Sequence, residues 1–360
     1  MRRINFHSRL PTMLIQASRA AASRPAAAET EAARPKTAPS AMPTRLSQAE
    51  NRADAPASSR TAPRANPLDG LCAPQTLESL KPEPARQRLK DSALLANFPY
   101  SRDLDSLRAT QWSPDAELAR LLAKGSKLEF QPQQARLMDP ESGLVAYVFR
   151  NKAAGEIRLV FGGTTSGRGV GGLAQRNLKN LVSVARQWRA NIGNAAFGGR
   201  PACYAQAAQL TAKLQGLAAG LPLMRGGEPD YTVSTGGHSL GGGMAAYAAM
   251  KLSTPQRPVH AECFSSAQFG RGLQRELLAR HDNNLDQARA ASAHIRHYCV
   301  QGDLVPALDG LLPVRHVGQL YLLPANRQAD DSRLGRHDKF LDHVQDFVAG
   351  DWQGQSRFYA

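Results

Sequence analysis

The stretch YTVSTGGHSLGGGMAAYAAM, residues 231–250, constrains the fold more than any other part of the chain. A short β-branched run, DYTVST, leads into Gly237-His238-Ser239-Leu240-Gly241, and an alanine-rich run follows. G-x-S-x-G at such a junction marks a sharp strand-to-helix turn that presents its serine at the helix N-terminus. The glycines tolerate the strained turn and let the helix come close to the strand. A serine hydroxyl is a poor nucleophile until a neighbouring base takes its proton and fixed donors hold the oxyanion. The N–H of Leu240, first in the helix, points to where that negative charge develops. A purely structural glycine turn is the competing reading, and five-residue matches do arise by chance. The strand before and the helix after weigh against it.

The surrounding pattern supplies the frame such an elbow requires. Upstream, LESLKPEPARQRLKDSALLANF and SPDAELARLLAKGSKLEF carry leucines at helical spacing. SGLVAYVFR (142–150) and EIRLVFGG (156–163) then read as two strands joined by a turn at 151–155. ACYAQAAQLTAKLQGLAAGL (202–221) reads as a helix. After the elbow come strand candidates VHAECFSSAQF (259–269) and IRHYCVQGD (295–303), separated by the helical LQRELLARHDNNLDQARAASA. HDKFLDHVQDFV reads as a closing helix. Strands alternating with helices predict an α/β fold, a mostly parallel sheet with helices on both faces.

An acid is expected at the C-terminal end of a later strand, in the order Ser…Asp…His. Asp303 stands there, in YCVQGDLVPAL, where Val305-Pro306 would stop the strand. A turn or cap aspartate is the ordinary alternative at such a place.

The first 66 residues, dominated by Ala, Arg, Ser and Pro, read as a disordered segment that cannot bury enough surface to offset its ordering entropy. The rest, 67–360, is expected to form one domain. The segment holds 11 Lys+Arg against 4 Asp+Glu, +7 of the total +15, and its first 28 residues carry no acid. Such a profile fits an address, either an export signal or an organelle transit peptide, or else a plain solvated linker. No stretch approaches the roughly 18 apolar residues of a membrane span. The four cysteines, Cys72, Cys203, Cys263 and Cys299, stand far apart, which predicts unpaired thiols and no zinc site.

GHSLGG, LVFGGT upstream of it and GDLVP downstream together resemble the class 3 lipase family, over roughly residues 140 to 345. That resemblance implies an α/β-hydrolase fold and hydrolysis of carboxylic esters of lipids through an acyl-enzyme. It implies Ser239 as nucleophile, Asp303 as acid, and Thr164 of Phe161-Gly162-Gly163-Thr164 as the oxyanion donor beside Leu240. Gly162 departs from the arginine usual at its place, so the support of that loop is missing or replaced. His316, in PVRHVGQLYLL, corresponds to a structural histidine. For the base, His337 matches the family's H-x-x-[YF] ending through Phe340, with His343 as the alternative. His238 is a family feature expected to pack. Neither metal nor cofactor is implied.

Between Ile157 and Arg225 no Asp or Glu occurs while Lys and Arg occur nine times. In the resembled family this interval carries a lid. Here Arg176, Lys179, Arg186 and Arg189 surround an apolar stripe with Trp188, the outline of a basic amphipathic helix suited to an anionic membrane surface. A core-facing helix with solvated charges is the alternative. A nucleic-acid partner is not indicated, since no recognised nucleic-acid motif accompanies the charge. The expectation is thus a lipase or phospholipase in peripheral contact with anionic membrane. An anionic-lipid-binding protein acting without catalysis, or a small-substrate esterase or acyltransferase, stands open beside it. The N-terminal segment joined to such a domain is similar to effectors that plant-pathogenic bacteria secrete into host cells; a plastid-targeted enzyme has the same outline. Oligomeric state is not legible.

Overall fold

The structure is a computed structural model of the chain. It describes residues 69–139, 142–163, 201–221, 231–254, 256–310, 314–325 and 332–350. All of these lie in the second of two units into which the chain divides, Ala62–Ala360. The N-terminal segment and the basic helix expected around residues 173–192 fall outside the described residues.

The strands, in chain order, are β1 (Cys72–Gln75), β2 (Ser113–Pro114), β3 (Glu129–Gln131), β4 (Arg136–Met138), β5 (Val145–Asn151), β6 (Glu156–Phe161), β7 (Thr232–His238), β8 (His260–Phe264), β9 (Ile295–Val300) and β10 (Gly318–Leu323). The helices are α1 (Glu83–Ser101), α2 (Leu104–Arg108), α3 (Ala116–Ala123), α4 (Ala202–Ala218), α5 (Leu240–Leu252), α6 (Arg271–Ala279), α7 (Leu285–Ser292), α8 (Arg333–Asp338) and α9 (Phe340–Ala349). One sheet runs β1-β10-β9-β8-β7-β6-β5-β4-β3, with β2 added against β5. From β6 to β1 every pairing is parallel. The β3–β6 flank and β2 are antiparallel. This is an α/β-hydrolase-like sheet, mixed at one flank and parallel through its centre.

Alternation along the strands sorts the core into two layers, because successive side chains leave opposite faces. Ala261, Cys263 and Ile295 join Met244–Met250 of α5, Leu210 and Leu214 of α4, and Leu273 and Leu277 of α6 on one face. Phe264, Tyr298 and Val300 join Leu89 and Ala93 of α1 with Phe340, Val344 and Phe347 of α9 on the other. Central strands covered on both faces read as continuous apolar runs. VAYVF and LVF do so, and are wholly buried.

One polar island interrupts the α1 side. Arg158, buried to 2% exposure, donates to Ser92 Oγ (2.7 Å), Ser234 Oγ (3.0 Å) and Glu156 Oε1 (2.7 Å), and lies over the Trp112 ring at 4.7 Å. Burial alone would raise the Glu156 carboxyl; Arg158 and the Ser234 hydroxyl overcome it and hold the group below its ordinary range. The Arg158 charge is thereby paired and bonded, the condition under which a buried charge is tolerated.

Several boundaries differ from the sequence reading. LQRELLARHDNNLDQARAASA breaks into α6 and α7 because Asp282 and Asn283 turn to φ 54° and 56°, after which Asn284 caps α7 through Asp286 and Gln287 N–H. The closing helix likewise breaks at Lys339 into α8 and α9. KLEF, read as helix, supplies β3 instead. The strand read to residue 269 ends at Phe264, where Ser265 adopts φ 42°. Cys203, Cys263 and Cys299 are buried free thiols, and Cys72 is half-buried. Among the described residues no group of His, Cys, Asp and Glu could hold a metal, and no helix is long and apolar enough to cross a membrane.

Candidate active site

The C-terminal ends of β6, β7 and β9 converge on one place. β7 ends at His238, α5 begins at Leu240, and Ser239 between them takes φ 60°, ψ −129°. A non-glycine residue there costs on the order of 1–3 kcal/mol, and persists only where its surroundings over-determine it. They do so here. Ser239 N–H donates to the Phe264 carbonyl (3.0 Å), and the Ser239 carbonyl accepts from Gly243 (3.1 Å) and Ala267 (3.0 Å). The elbow also lies hard against β6. A Cβ on Gly237 would sit 2.6 Å from the Phe161 oxygen, and one on Gly241 would run into the same carbonyl. Both motif glycines are therefore required by close approach. Leu240 opens α5, so its N–H is among those the helix leaves without an intrahelical partner.

Asp303 follows β9 by three residues and is 1% exposed. Its backbone N–H donates to the Val300 carbonyl (3.0 Å), and its Oδ1 accepts from Val305 N–H (2.9 Å), so the side chain is aimed before any partner arrives. The partner is His337 on α8, whose Nδ1 lies 3.1 Å from both carboxylate oxygens. Ser332 sets α8 by accepting Gly335 N–H (2.9 Å), and the His337 side chain is buried beside Asp303. A carboxylate can only accept, so Nδ1 carries the hydrogen and Nε2 is the basic nitrogen.

His343 lies on α9, 1% exposed, and burial lowers its pKa. His316 is buried and bonds through Nε2 to the Ser266 carbonyl (3.1 Å), in keeping with a structural place. His238 stacks on Phe340 (centroids 4.1 Å apart, 11° between planes) and donates Nε2–H to the His337 carbonyl (3.0 Å). Desolvation, with the neighbouring His337 second, lowers its pKa well below the ordinary value, so it sits neutral. Thr164, Arg176, Lys179, Arg186, Trp188 and Arg189 lie outside the described residues.

Tyr100 was not legible as a site residue. It stands in the last turn of α1, and its hydroxyl accepts Gly163 N–H at the end of the FGG run (3.0 Å). With His238 Nε2 donating to His337, Nδ1 is bare and accepts from the Tyr100 hydroxyl (3.2 Å), which also stands 3.3 Å from the His238 carbonyl. A chain thus runs from the end of the FGG run through Tyr100 and His238 to the backbone of His337. At Gly162, where the sequence reading found no arginine, the backbone is held by Val145 and its neighbour by Tyr100. A tyrosine in the last turn of a helix about 60 residues before its partner leaves no trace in any local pattern.

No curated protein matches the chain. Among solved structures it is similar to the Lip2 lipase from Yarrowia lipolytica, at 15% identity and TM-score 0.39, covering 67% of this chain and 79% of that one. It is similar to lipase II from Rhizopus niveus at 16% identity and TM-score 0.35, covering 67% and 81%. A triacylglycerol lipase from Penicillium expansum aligns at 15% identity and TM-score 0.37, covering 66% and 79%. The phospholipase-like family described as a Tle-like phospholipase domain matches residues 91–320, which run from within α1 through the FGG strand, the elbow and Asp303 into β10. The chain belongs to this family of Tle-like phospholipase domains.

Proposed function

We propose that the protein is a serine hydrolase that cleaves carboxylic esters of membrane phospholipids through an acyl-enzyme, within the class 3 lipase type. The observation that carries the reading is the bonding of His337 Nδ1 to both oxygens of Asp303 beside an elbow whose serine is strained at φ 60°. In this reading Ser239 Oγ attacks the ester carbonyl while His337 Nε2 takes its proton. Asp303 holds the imidazole in the productive tautomer and stabilises the imidazolium. The N–H groups of Leu240 and Thr164 receive the oxyanion. His337 then returns the proton to the leaving alcohol, and water releases the fatty acid by the reverse sequence. His337 is preferred to His343 because it is bonded to the acid.

Phospholipid over neutral lipid follows from the acid-free basic interval and from the family matched. In the same proposal Arg176, Lys179, Arg186, Trp188 and Arg189 contact anionic membrane, and the N-terminal segment is an export address for delivery into a host cell.

Fatty-acid release from a panel of phospholipids and a triglyceride, wild type beside Ser239→Ala, tests the reading. Release from phospholipids is expected, and loss of a nucleophile of this kind lowers kcat by about 10⁴-fold or more. Release undiminished in Ser239→Ala, or none from any ester with wild type, overturns it. Lipid capture surviving in Ser239→Ala without any cleavage in wild type would favour a non-catalytic lipid-binding protein.

A further inference from the structure

Ser239 is gripped at both of its peptide groups by one short segment, Phe264–Ala267: the Phe264 carbonyl takes its N–H and the Ala267 N–H takes its carbonyl. That segment is itself unusual. Ser265 turns to φ 42° and donates its N–H to the Tyr298 carbonyl (2.9 Å), and Ser266 follows with no exposure at all. Its hydroxyl and its carbonyl both end on imidazoles. Its hydroxyl lies 2.7 Å from His297 Nδ1 and its carbonyl accepts His316 Nε2–H (3.1 Å). The direction of the first bond follows from the second nitrogen of His297, which lies 2.9 Å from the Val317 carbonyl. A carbonyl only accepts, so Nε2 carries the hydrogen, Nδ1 is bare, and the Ser266 hydroxyl donates. His297 is fixed in the middle of β9, paired to Cys263 of β8 and Leu320 of β10; His316 precedes β10, and the two rings stand 4.4 Å apart. On its other side Ser266 packs against the first turn of α5, where a Cβ on Gly242 would come within 2.7 Å of the Ser266 Cβ.

For packing alone this cluster is a poor choice. Burial keeps His297 neutral by lowering its pKa far below the ordinary value, and buried polar groups at best recover their desolvation cost through their bonds. An alanine and two apolar side chains of matching volume would fill the space without that cost. What the polar cluster adds is direction: two bonds of defined geometry that orient the peptide carrying Ala267 N–H toward Ser239. We propose that Ser266, oriented by His297 and His316, is a positioning residue for Ser239, holding the strained elbow in the geometry that aims its hydroxyl. The inference rests on the reading of Ser239 as the nucleophile.

The test follows Ser239 reactivity with a fluorophosphonate ester on the full-length protein. In that reaction the Ser239 oxygen forms a bond to phosphorus, fluoride leaves, and the hydroxyl proton passes to His337. Labelling rate, kcat and KM for a phospholipid, and thermal midpoint are measured for wild type, Ser239→Ala, Ser266→Ala, His297→Leu and His297→Asn. Ser266→Ala and His297→Leu are expected to slow labelling and kcat by about 10- to 100-fold, the scale of a small misplacement at a reacting atom, with KM within about twofold. His297→Asn, whose amide oxygen can accept near where Nδ1 did, is expected to recover most of that rate. The histidine pair of variants carries the test should Ser266→Ala fail to fold. Wild-type labelling rates in Ser266→Ala or His297→Leu overturn the proposal, as does His297→Asn behaving like His297→Leu at equal thermal midpoint. A wild type that takes no label, or a Ser239→Ala that takes it equally, instead overturns the assignment of Ser239.

Discussion

Tyr100 ties Gly163 to His238 with one oxygen, and its ring meets His238 edge-on (centroids 5.3 Å apart, 81° between planes). Removing only the hydroxyl separates bonding from packing. Tyr100→Phe keeps the ring but removes the hydroxyl that accepts from Gly163 N–H, and leaves His238 Nδ1 without the hydroxyl that donates to it. A buried polar group left unmade costs about 1–3 kcal/mol. The variant should therefore lose about that much stability by denaturant titration. If the protein cleaves esters as proposed, that rate should fall about tenfold, because Gly163 precedes Thr164 and His238 holds the backbone of His337. A Tyr100→Phe enzyme with wild-type kcat would mean that the chain is a packing detail. At this same scale the sequence was clear for Ser239 and Asp303, whose neighbours along the chain define them. It was silent for Tyr100, Ser266 and His297, whose partners are far away in sequence.

At the scale of elements, the elbow works because β7 and α5 pack against β6 with no side chain between them. Gly241→Ala would drive a Cβ into the Phe161 carbonyl, and backbone on both sides leaves nothing flexible to yield. A loss of about 3 kcal/mol or more in unfolding free energy is expected, the range of severe core errors, read from denaturant midpoints. A loss under about 1 kcal/mol would show that β6 and α5 can separate. The elements read correctly from sequence were those with one period and clear stops, such as α4, α5 and β6. The breaks at Asp282–Asn283 and Lys339 were missed because leucine and phenylalanine spacing continues through them.

Across the whole molecule, buried histidines make stability depend on pH. His238 and His297 both have pKa values depressed well below 6.5, burial being the largest cause, and His260, His281 and His343 are shifted the same way. Below pH 6.5 the unfolded chain binds protons that the folded one refuses, so stability is present above that pH and is lost as pH falls toward the folded values. Each histidine that stays neutral in the folded chain while the unfolded chain binds its proton contributes a slope of up to about 1.4 kcal/mol per pH unit. Glu156, held below the ordinary carboxylate range, adds its own loss only under about pH 4.5. Denaturant titrations at pH 7.5, 6 and 5 check this, and His297→Asn should reduce the slope by about one proton. A flat profile over that range would contradict neutral burial.

The sequence alone determined what depends on near neighbours: the strand–turn–helix of the elbow, the acid just beyond a strand, and the alternation that makes an α/β sheet. These follow from local sterics and from hydrophobic period, which the chain carries in its own order. The tertiary structure decided what depends on distance. It brought His337 rather than a numbered neighbour onto Asp303, set Tyr100 under Gly163, and closed Ser266 between two histidines. Hydrogen bonds form between groups only about 3 Å apart, and which groups come that close is set by how the helices pack on the sheet.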